Sequence, residues 1–169
     1  LWKIPQKGTI NLHASLLPNL RGAAPIHWAI INGLKETGVS TFYIDENIDC
    51  GEIIEQKKVS ISENENTGEL YNKLKKIGAL TILSTLEKID EKDFKSIKQN
   101  ESKENLKAPK LNRENTKIDW NKPSNEIHDF IRGLNPFPSA WTSITENKKI
   151  LKIYKSRRYS SIINEKQKP

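Results

Sequence analysis

Apolar residues recur along the chain at two spacings, which predict alternating strands and helices. Apolar and polar side chains alternate over residues 8–12, as expected for a strand with one buried face. β-branched and aromatic residues cluster in further segments that predict strands. These segments are 39–44, 53–61, 141–144 and 149–154. Charged positions within 53–61 indicate a strand near the edge of its sheet.

Proline and glycine mark the ends of two short helices. Pro25 and Gly33 bracket the first, with the proline in its opening turn and the glycine past its end. The second is predicted over 123–132 and is closed by Gly133. Strands and helices therefore alternate along the chain, which indicates an α/β protein.

The longest helix is predicted at about 68–89, with Thr67 as its N-terminal cap. An approximate apolar stripe runs along it, formed by Leu70, Leu74, Ile77, Leu80, Leu83 and Leu86. We interpret this stripe as core packing. Strongly apolar residues are sparse from 87 to 105, which predicts an exposed connector.

Composition sets the frame for this pattern. The 169 residues are 35% apolar and 29% charged, which suffices for a globular domain. The chain contains no methionine, so we expect an internal fragment that lacks the translation start. Its single cysteine, Cys50, excludes an internal disulfide and a cysteine-based zinc site, and a cytoplasmic location is the simplest expectation. The longest apolar-leaning run, 77–86, is too short to span a bilayer, which requires about twenty residues.

Three polar groups could form a reactive centre: the amide of Asn11, the imidazole of His13 and the carboxylate of Asp49. Asn11 and His13 are two residues apart in a predicted strand, so both point to one face. We expect Ile10 and Leu12 to bury the opposite face. In the alternative interpretation His13 is a structural histidine, and Asp49 only stabilises the turn in which it lies.

A short loop follows this strand, formed by Ser15, Leu16, Leu17 and Pro18. Pro18 restricts Leu17 to an extended conformation. Two leucines are unusual in an exposed loop. They either fill the core or line a pocket for a flat apolar ligand.

The run NLHASLLPNLRGAAP at 11–25, with the segments 37–39 and 45–51, resembles the folate-dependent formyltransferase family. APK at 108–110, IDW at 118–120 and RGLNPFPSAW at 132–141 resemble the part of the tRNA-formylating members that leads into their second domain. The resemblance extends from Gly8 to about Tyr154. It implies the second half of a Rossmann-like α/β formyltransferase domain, followed by the start of a small β-rich, OB-like C-terminal domain.

The resemblance also implies site residues and domain boundaries. Asn11, His13 and Asp49 match the family's catalytic residues. The loop of Ser15, Leu16, Leu17 and Pro18 matches its tetrahydrofolate-binding loop. The expected division is a catalytic part at 1–105, a linker with a connecting helix at 106–140 and the start of a tRNA-binding domain at 141–169.

The implied reaction moves a formyl group from 10-formyltetrahydrofolate to the amino group of initiator methionyl-tRNA in translation initiation. An amine must attack an amide-like carbonyl, which places negative charge on its oxygen. Asn11 and His13 can donate hydrogen bonds to that oxygen. Asp49 can orient the imidazole and accept the amine proton directly or through water. We expect this chemistry to proceed without a metal and on a monomer.

The net charge of +7 arises at the C-terminal end, because residues 106–169 hold fourteen basic and six acidic side chains. Six basic residues lie there without an intervening acid: Lys148, Lys149, Lys152, Lys155, Arg157 and Arg158. Such a cluster is suited to RNA phosphates, and its alternative is a solvated lysine-rich surface. The family resemblance favours RNA.

Other functions remain open at this point. A sugar-nucleotide formyltransferase shares much of the C-terminal pattern, whereas the glycinamide ribonucleotide enzyme lacks the C-terminal extension. A non-catalytic RNA-binding module of the same fold is opposed by the intact Asn11, His13 and Asp49.

Overall fold

The computed structural model describes residues 2–100, 102, 105–144 and 149–158. In chain order the elements are β1 (Ile10–His13), β2 (Arg21–Gly22), α1 (Pro25–Ile31), β3 (Glu36–Tyr43), β4 (Ile53–Ser60), α2 (Thr67–Asp90), β5 (Lys107–Ala108), a 3₁₀ turn (Glu114–Thr116), α3 (Ser124–Gly133), β6 (Ala140–Ile144) and β7 (Lys149–Ile153). The predicted strands and helices are confirmed, with ends shifted by a few residues. The two-residue strands β2 and β5 were not predicted. Within the described ranges, no helix is both long and apolar enough to cross a bilayer.

The main sheet has three antiparallel strands in the order β1-β3-β4. His13 at the end of β1 lies opposite Ser40 of β3. β4 is an outer strand of this sheet, which confirms its predicted edge position, and its middle residues 56–58 are exposed. β2 and β5 form a separate parallel pair, and β6 with β7 forms an antiparallel hairpin.

The predicted burial of β1 is wrong for Leu12. Its side chain is 36% exposed, while Ile10 is half-buried. Leu12 faces α2 at Gly78, where a built Cβ would lie 2.7 Å from Leu12 Cδ2. Glycine brings the helix close but offers no side chain to cover the leucine, so the contact leaves part of Leu12 in solvent.

The apolar stripe predicted for α2 is wrong in its second half. Leu80, Leu83 and Leu86 are 68%, 61% and 50% exposed. The buried positions are Thr67, Leu70, Leu74, Gly78, Thr81 and Thr85. The leucines follow one another every three residues, so they drift around a helix of 3.6 residues per turn. Small residues at the true helical spacing let α2 approach the sheet closely.

Threonine packing fixes α2 against the sheet. Oγ1 of Thr85 lies 2.7 Å from Oγ1 of Thr41 on β3, within the buried interface. Among the described residues, the largest apolar core cluster joins residues of the sheet, α1 and the first half of α2. A second cluster gathers Ile118, Ile131, Leu134 and Ala140 around α3 and β6.

The helix α3 ends one residue later than predicted and packs against α1. Gly133 is its last helical residue rather than the residue that closes it. A Cβ built on Gly133 would lie 2.6 Å from Ile31 Cγ1 and 3.0 Å from the Ile31 nitrogen. Glycine is therefore required there because α1 approaches too closely for a side chain.

The connector between α2 and β5 is exposed as predicted, but it also docks on the sheet. Ile97 exchanges two backbone hydrogen bonds of 2.8 Å with Ile53 at the start of β4. This bridge continues the sheet by one residue and fixes the chain beyond it. The sequence pattern gave no sign of that contact.

The N-terminus of α2 is capped by Asn66 and not by Thr67 as predicted. The Asn66 side chain accepts the Glu69 amide at 3.0 Å, and the Glu69 carboxylate accepts the Asn66 amide at 2.9 Å. Thr67 is buried instead and donates to the Gly133 carbonyl at 2.6 Å. The reciprocal pair satisfies two amides that the helix leaves unpaired.

We expect Asn66→Ala to destabilise the protein by about 1 kcal/mol, because it removes the side-chain half of this cap. Urea unfolding of the variant measures the loss. Asn64→Ala, at a neighbouring exposed asparagine, is the matched control. Equal unfolding midpoints for the two variants would contradict the assignment of the cap.

Glu55 on β4 is a buried carboxylate held by two lysines. Its side chain is 4% exposed, and Oε1 lies 2.9 Å from Lys57 Nζ and 3.3 Å from Lys88 Nζ. Burial raises the pKa of Glu55, but hydrogen bonds from Lys57, Ser84 and Lys88 outweigh it, so the pKa lies below its ordinary value of 4.5. The charged form is thus the one that the folded state favours.

Because this pKa is lowered by folding, the contribution of Glu55 to stability is present above pH 4.5 and is lost as the pH falls through the folded-state pKa. We expect Glu55→Gln to lower the free energy of unfolding at pH 7 and to match the parent at strongly acidic pH. Urea unfolding at a series of pH values measures both. A difference that is independent of pH would rule out the ionic contribution.

Candidate active site

His13 is buried at the end of β1 between two acceptors. Its Nε2 lies 2.9 Å from the carbonyl oxygen of Leu20. A carbonyl can only accept, so Nε2 carries a proton in this arrangement. The other ring nitrogen, Nδ1, lies 3.7 Å from Oδ2 of Asp49, and both side chains are largely buried. The structure therefore brings together His13 and Asp49, as predicted from the sequence.

Asp49 is fixed by the backbone of β2. The Gly22 amide donates to Asp49 Oδ2 at 2.9 Å. Asp49 has a φ of +55°, and Leu20, which accepts from the imidazole, has a φ of +61°. The left-handed region costs residues other than glycine about 1–3 kcal/mol and concentrates at functional sites. Both neighbours of the imidazole therefore hold backbone conformations that the surrounding fold must stabilise.

Asn11 lies on the same strand, two residues before His13. It is exposed, whereas His13 is buried. Strand geometry directs both side chains to the same side of the sheet. The amide is thus placed at the surface above the buried imidazole.

The loop after β1 is fixed mainly by β3 and β4. Ser15 Oγ donates to the Asn19 carbonyl at 2.6 Å, and Ser40 Oγ donates to the Ser15 carbonyl at 2.7 Å. Gln56 donates to the carbonyl of Leu17 at 2.9 Å. These bonds hold the loop in one shape beside β1.

The structure assigns one leucine of this loop to the core. Leu17 is 3% exposed and fills the core against Phe42 and Ile53. Leu16 is half-buried, and Pro18 lines an open cleft. Ser15 is fully buried, so its hydroxyl supports the loop from within.

The cleft beside Asp49 has a volume of about 700 Å³. Its lining includes Pro18, Arg21, Ile48, Leu106 and Lys107. Apolar walls with two basic side chains suit a flat ligand that carries negative charge. No group of His, Cys, Asp or Glu within the described ranges has the arrangement of a metal site.

Sequence reasoning missed one residue of this site, Gln99. Its amide nitrogen donates to the carbonyls of Asp49 and Gly51 at 2.9 and 2.8 Å, and its oxygen accepts from Arg21. Gln99 lies in the polar connector, fifty residues from Asp49. A glutamine among lysines and asparagines carries no signal that would mark it.

The basic cluster at the C-terminal end is divided by the hairpin. Lys148 lies outside the described residues. Lys149 and Lys152 point to opposite faces of β7, because they are three residues apart on a strand. Lys152 lies across from Trp141, and Arg113 and Lys117 lie 5.4 and 5.6 Å from the centre of the Trp141 ring system.

The remaining basic residues lie beyond β7. Lys155, Arg157 and Arg158 line a second cleft of about 760 Å³ together with Glu63 and Glu69. Arg158 pairs with Glu63. The surface around Trp141, defined as Arg113, Lys117, Trp141 and Lys152, is thus the part of the C-terminal region where cations gather around an aromatic ring.

The two other histidines, His27 and His128, both have hydrogen-bond partners outside the candidate site. His27 Nε2 donates to the Phe137 carbonyl at 3.0 Å, and burial lowers the pKa of His27. Nδ1 of His128 lies 2.9 Å from Ser156 Oγ, while burial and then the charges of Arg132 and Arg158 lower the pKa of His128. Both contacts arise between segments that are distant in sequence. They join α1 and α3 to the chain around β6 and β7.

The fold and this site agree with what the chain matches among known proteins. Residues 1–86 match the formyl transferase family, and residues 110–168 match the formyl transferase C-terminal domain. The chain therefore belongs to the formyl transferase family. The predicted fold class is confirmed: a Rossmann-like α/β formyltransferase part is followed by the family's C-terminal domain.

Curated relatives of this chain include methionyl-tRNA formyltransferases. The one from Azobacteroides pseudotrichonymphae is 53% identical over 149 residues, which are 86% of this chain and 46% of that protein. The one from Flavobacterium johnsoniae is 46% identical over 159 residues, 93% of this chain and 50% of that protein. The chain thus spans about half the length of these relatives.

A solved relative carries a folate. The N-formyltransferase from Helicobacter canadensis, in complex with folinic acid and dTDP-3-aminofucose, is 30% identical with a TM-score of 0.70. The match covers 82% of this chain and 52% of that one. Sugar N-formyltransferases are therefore relatives of the same fold.

We expect Gly22→Ala to destabilise the protein by about 1–3 kcal/mol. Gly22 has a φ of +125°, and a Cβ there would lie 2.4 Å from the Ala108 oxygen, so β2 must separate from β5. Urea unfolding measures the change, with Ala23→Gly at the adjacent exposed position as the control. Stability equal to that of the parent would show that β2 tolerates a side chain at Gly22.

Proposed function

We propose that the whole protein transfers a formyl group from 10-formyltetrahydrofolate to the amino group of initiator methionyl-tRNA. The observation that carries the proposal is the contact between His13 and Asp49 in a chain whose curated relatives are methionyl-tRNA formyltransferases. A protein that only bound RNA would not need a buried imidazole and carboxylate held beside an open cleft.

In the proposed reaction the amine nitrogen attacks the formyl carbon, a new carbon–nitrogen bond forms, and the bond to the folate nitrogen breaks. The exposed amide of Asn11 donates to the formyl oxygen as it gains negative charge. Asp49 accepts the proton that the amine releases, directly or through water, and the folate nitrogen takes up a proton as it leaves.

His13 is proposed to support this step from the buried side of the site, below the exposed amide of Asn11. Its Nε2 proton is held by the Leu20 carbonyl, so donation to the formyl oxygen requires that proton to be shared between the two oxygens. Nδ1 faces Asp49, and a charged imidazole would balance the carboxylate before it takes up the amine proton. Asn11, His13 and Asp49 are thus proposed to act as one unit.

The cleft beside Asp49 is the proposed place of the folate donor. Pro18 and Leu106 offer apolar contact, and Arg21 and Lys107 offer positive charge to carboxylates. Pro18 would contact the ligand, while Ser15, Leu16 and Leu17 would shape the loop. The solved relative with folinic acid supports a donor of this class.

The proposed RNA contact is the surface around Trp141. Lys155, Arg157 and Arg158 in the second cleft are further candidates for phosphate contacts, whereas Lys149 points to the opposite face of β7. Lysine and arginine neutralise phosphates without reading sequence. Trp141 between Arg113 and Lys117 offers a ring edge or face to a base. The division into a catalytic part, a linker and an RNA-binding part follows from this proposal.

The decisive experiment measures formyl transfer from 10-formyltetrahydrofolate to methionyl-tRNA by the whole protein. We expect His13→Ala and Asp49→Ala each to lower kcat/KM by about 10²–10⁴, as is typical for the loss of an acid–base or oxyanion group. Asp93→Ala, at an exposed carboxylate of the connector, should act as the parent. Near-normal transfer by Asp49→Ala would overturn the catalytic assignment.

A sugar-nucleotide amine is the competing acceptor, because the Helicobacter canadensis relative was solved with one. The same assay with dTDP-3-aminofucose in place of the tRNA separates the two. Transfer to the sugar alone would replace the tRNA proposal. Binding of tRNA with no transfer to either acceptor would favour an RNA-binding module.

The RNA surface is tested by salt dependence. We expect Arg113→Ala and Lys152→Ala each to weaken tRNA binding and to reduce the slope of log affinity against log salt by about 1, because one phosphate contact is lost. Lys92→Ala, an exposed lysine between two acids, should leave the slope unchanged. Unchanged slopes in both test variants would remove this surface from the RNA interface.

A further inference from the structure

The side chain of Gln99 uses its full hydrogen-bonding capacity at the candidate active site. Its amide nitrogen donates to the carbonyls of Asp49 at 2.9 Å and Gly51 at 2.8 Å. Its oxygen accepts from Nε and Nη2 of Arg21 at 3.1 and 2.7 Å. Two N–H groups and two lone pairs are all that a carboxamide offers. If the amide were flipped, its NH₂ group would face the N–H donors of Arg21 and its oxygen would face two carbonyl oxygens, so only one orientation fits.

These four bonds join the two segments that hold the Asp49 carboxylate. One segment is the loop that contains Asp49 and Gly51, and the other is β2, where Arg21 precedes the amide of Gly22. The Gly22 amide is itself the donor to Asp49 Oδ2. Gln99 therefore links the main chain of the Asp49 loop to the side chain of Arg21, the residue that precedes the Gly22 amide.

The bonds to Asp49 and Gly51 also span a strained turn. Asp49 has a φ of +55°, which a residue other than glycine keeps only when its surroundings enforce it. Gln99 holds the carbonyls on both sides of Cys50. These two hydrogen bonds therefore help to hold Asp49 in its left-handed conformation.

Gln99 is held in place by the connector around it. Two residues earlier, Ile97 exchanges backbone hydrogen bonds with Ile53, and Ser96 donates to the carboxylate of Glu52. These contacts fix the register of the connector against β4. A polar segment without helix or strand pattern thereby places one amide at the site.

We propose that Gln99 is a positioning residue that fixes the Asp49 carboxylate against His13 for formyl transfer. The inference rests on the proposed function for its catalytic consequence. Its geometric part, that Gln99 holds Asp49 and Gly22 together, concerns the fold alone. The two parts are tested by different measurements.

The variants Gln99→Ala and Gln99→Glu are made in the whole protein. Alanine removes all four bonds, whereas glutamate can still accept from Arg21, now as an ion pair, and loses both donors to the loop. The control is Asn100→Ala, which truncates the next, exposed carboxamide of the connector. Unfolding midpoints identify any variant that has lost its fold.

Hydrogen exchange at the Gly22 amide tests the geometry without any substrate. We expect exchange to be about tenfold or more faster in both Gln99 variants than in the parent, because the bond to Asp49 opens more often. Asn100→Ala should exchange as the parent does. Parent-like exchange in the Gln99 variants would overturn the inference.

Kinetics tests the catalytic consequence. We expect kcat to fall about 10–100-fold in both Gln99 variants, with the KM for methionyl-tRNA changed by less than about twofold, since a misplaced carboxylate harms the transition state more than binding. In an Asp49→Ala background, Gln99→Ala should add less than about twofold. A loss of the same size in that background would show a general structural effect and overturn the inference.

Failure of the proposed function and failure of the positioning role of Gln99 would give different results. If the parent transfers formyl to neither acceptor while the Gln99 variants speed exchange at Gly22, the proposed function fails and Gln99 still holds Asp49. If the parent is active and the Gln99 variants retain its kcat, the positioning role is overturned. Restored kcat in Gln99→Glu alone would assign the role to Arg21 and equally overturn it.

Discussion

The Asp49 carboxylate accepts a hydrogen bond from the Gly22 amide and lies 3.7 Å from Nδ1 of His13, and the site depends on this contact. Neither partner is adjacent to Asp49 in sequence. The carboxylate reaches them because its turn adopts a left-handed conformation, and Leu20 adopts another on the far side of the imidazole. Two strained residues are stable here because buried hydrogen bonds and core packing fix the chain on both sides.

The supporting structure works through carbonyl groups more than through side-chain pairs. Ser40 and Gln56 of the sheet bind the loop after β1, and Gln99 of the connector binds the loop around Asp49. A backbone carbonyl left unpaired in a buried site costs free energy, so each amide or hydroxyl that meets one also fixes its position. The site is thus held by residues that take no part in the proposed chemistry.

The C-terminal region shows why a run of charges along the chain differs from a charged surface. Lys149 and Lys152 lie three residues apart and so point away from each other on β7. Lys152 instead joins Arg113 and Lys117, which come from the segment before α3. The pairing of β6 with β7 decides which basic side chains lie on the same surface. The order of the charges along the sequence does not contain that information.

The sequence by itself determined the order of the larger strands and helices, the family, and the pair His13 and Asp49. These follow from local patterns: alternation gives strands, proline and glycine mark helix ends, and a dense motif identifies the family. Tertiary structure decided the rest. Leu80, Leu83 and Leu86 are exposed because the sheet approaches α2 along Gly78, Thr81 and Thr85. Gln99 reaches the site only because Ile97 pairs with Ile53, a contact between distant residues that no local pattern encodes.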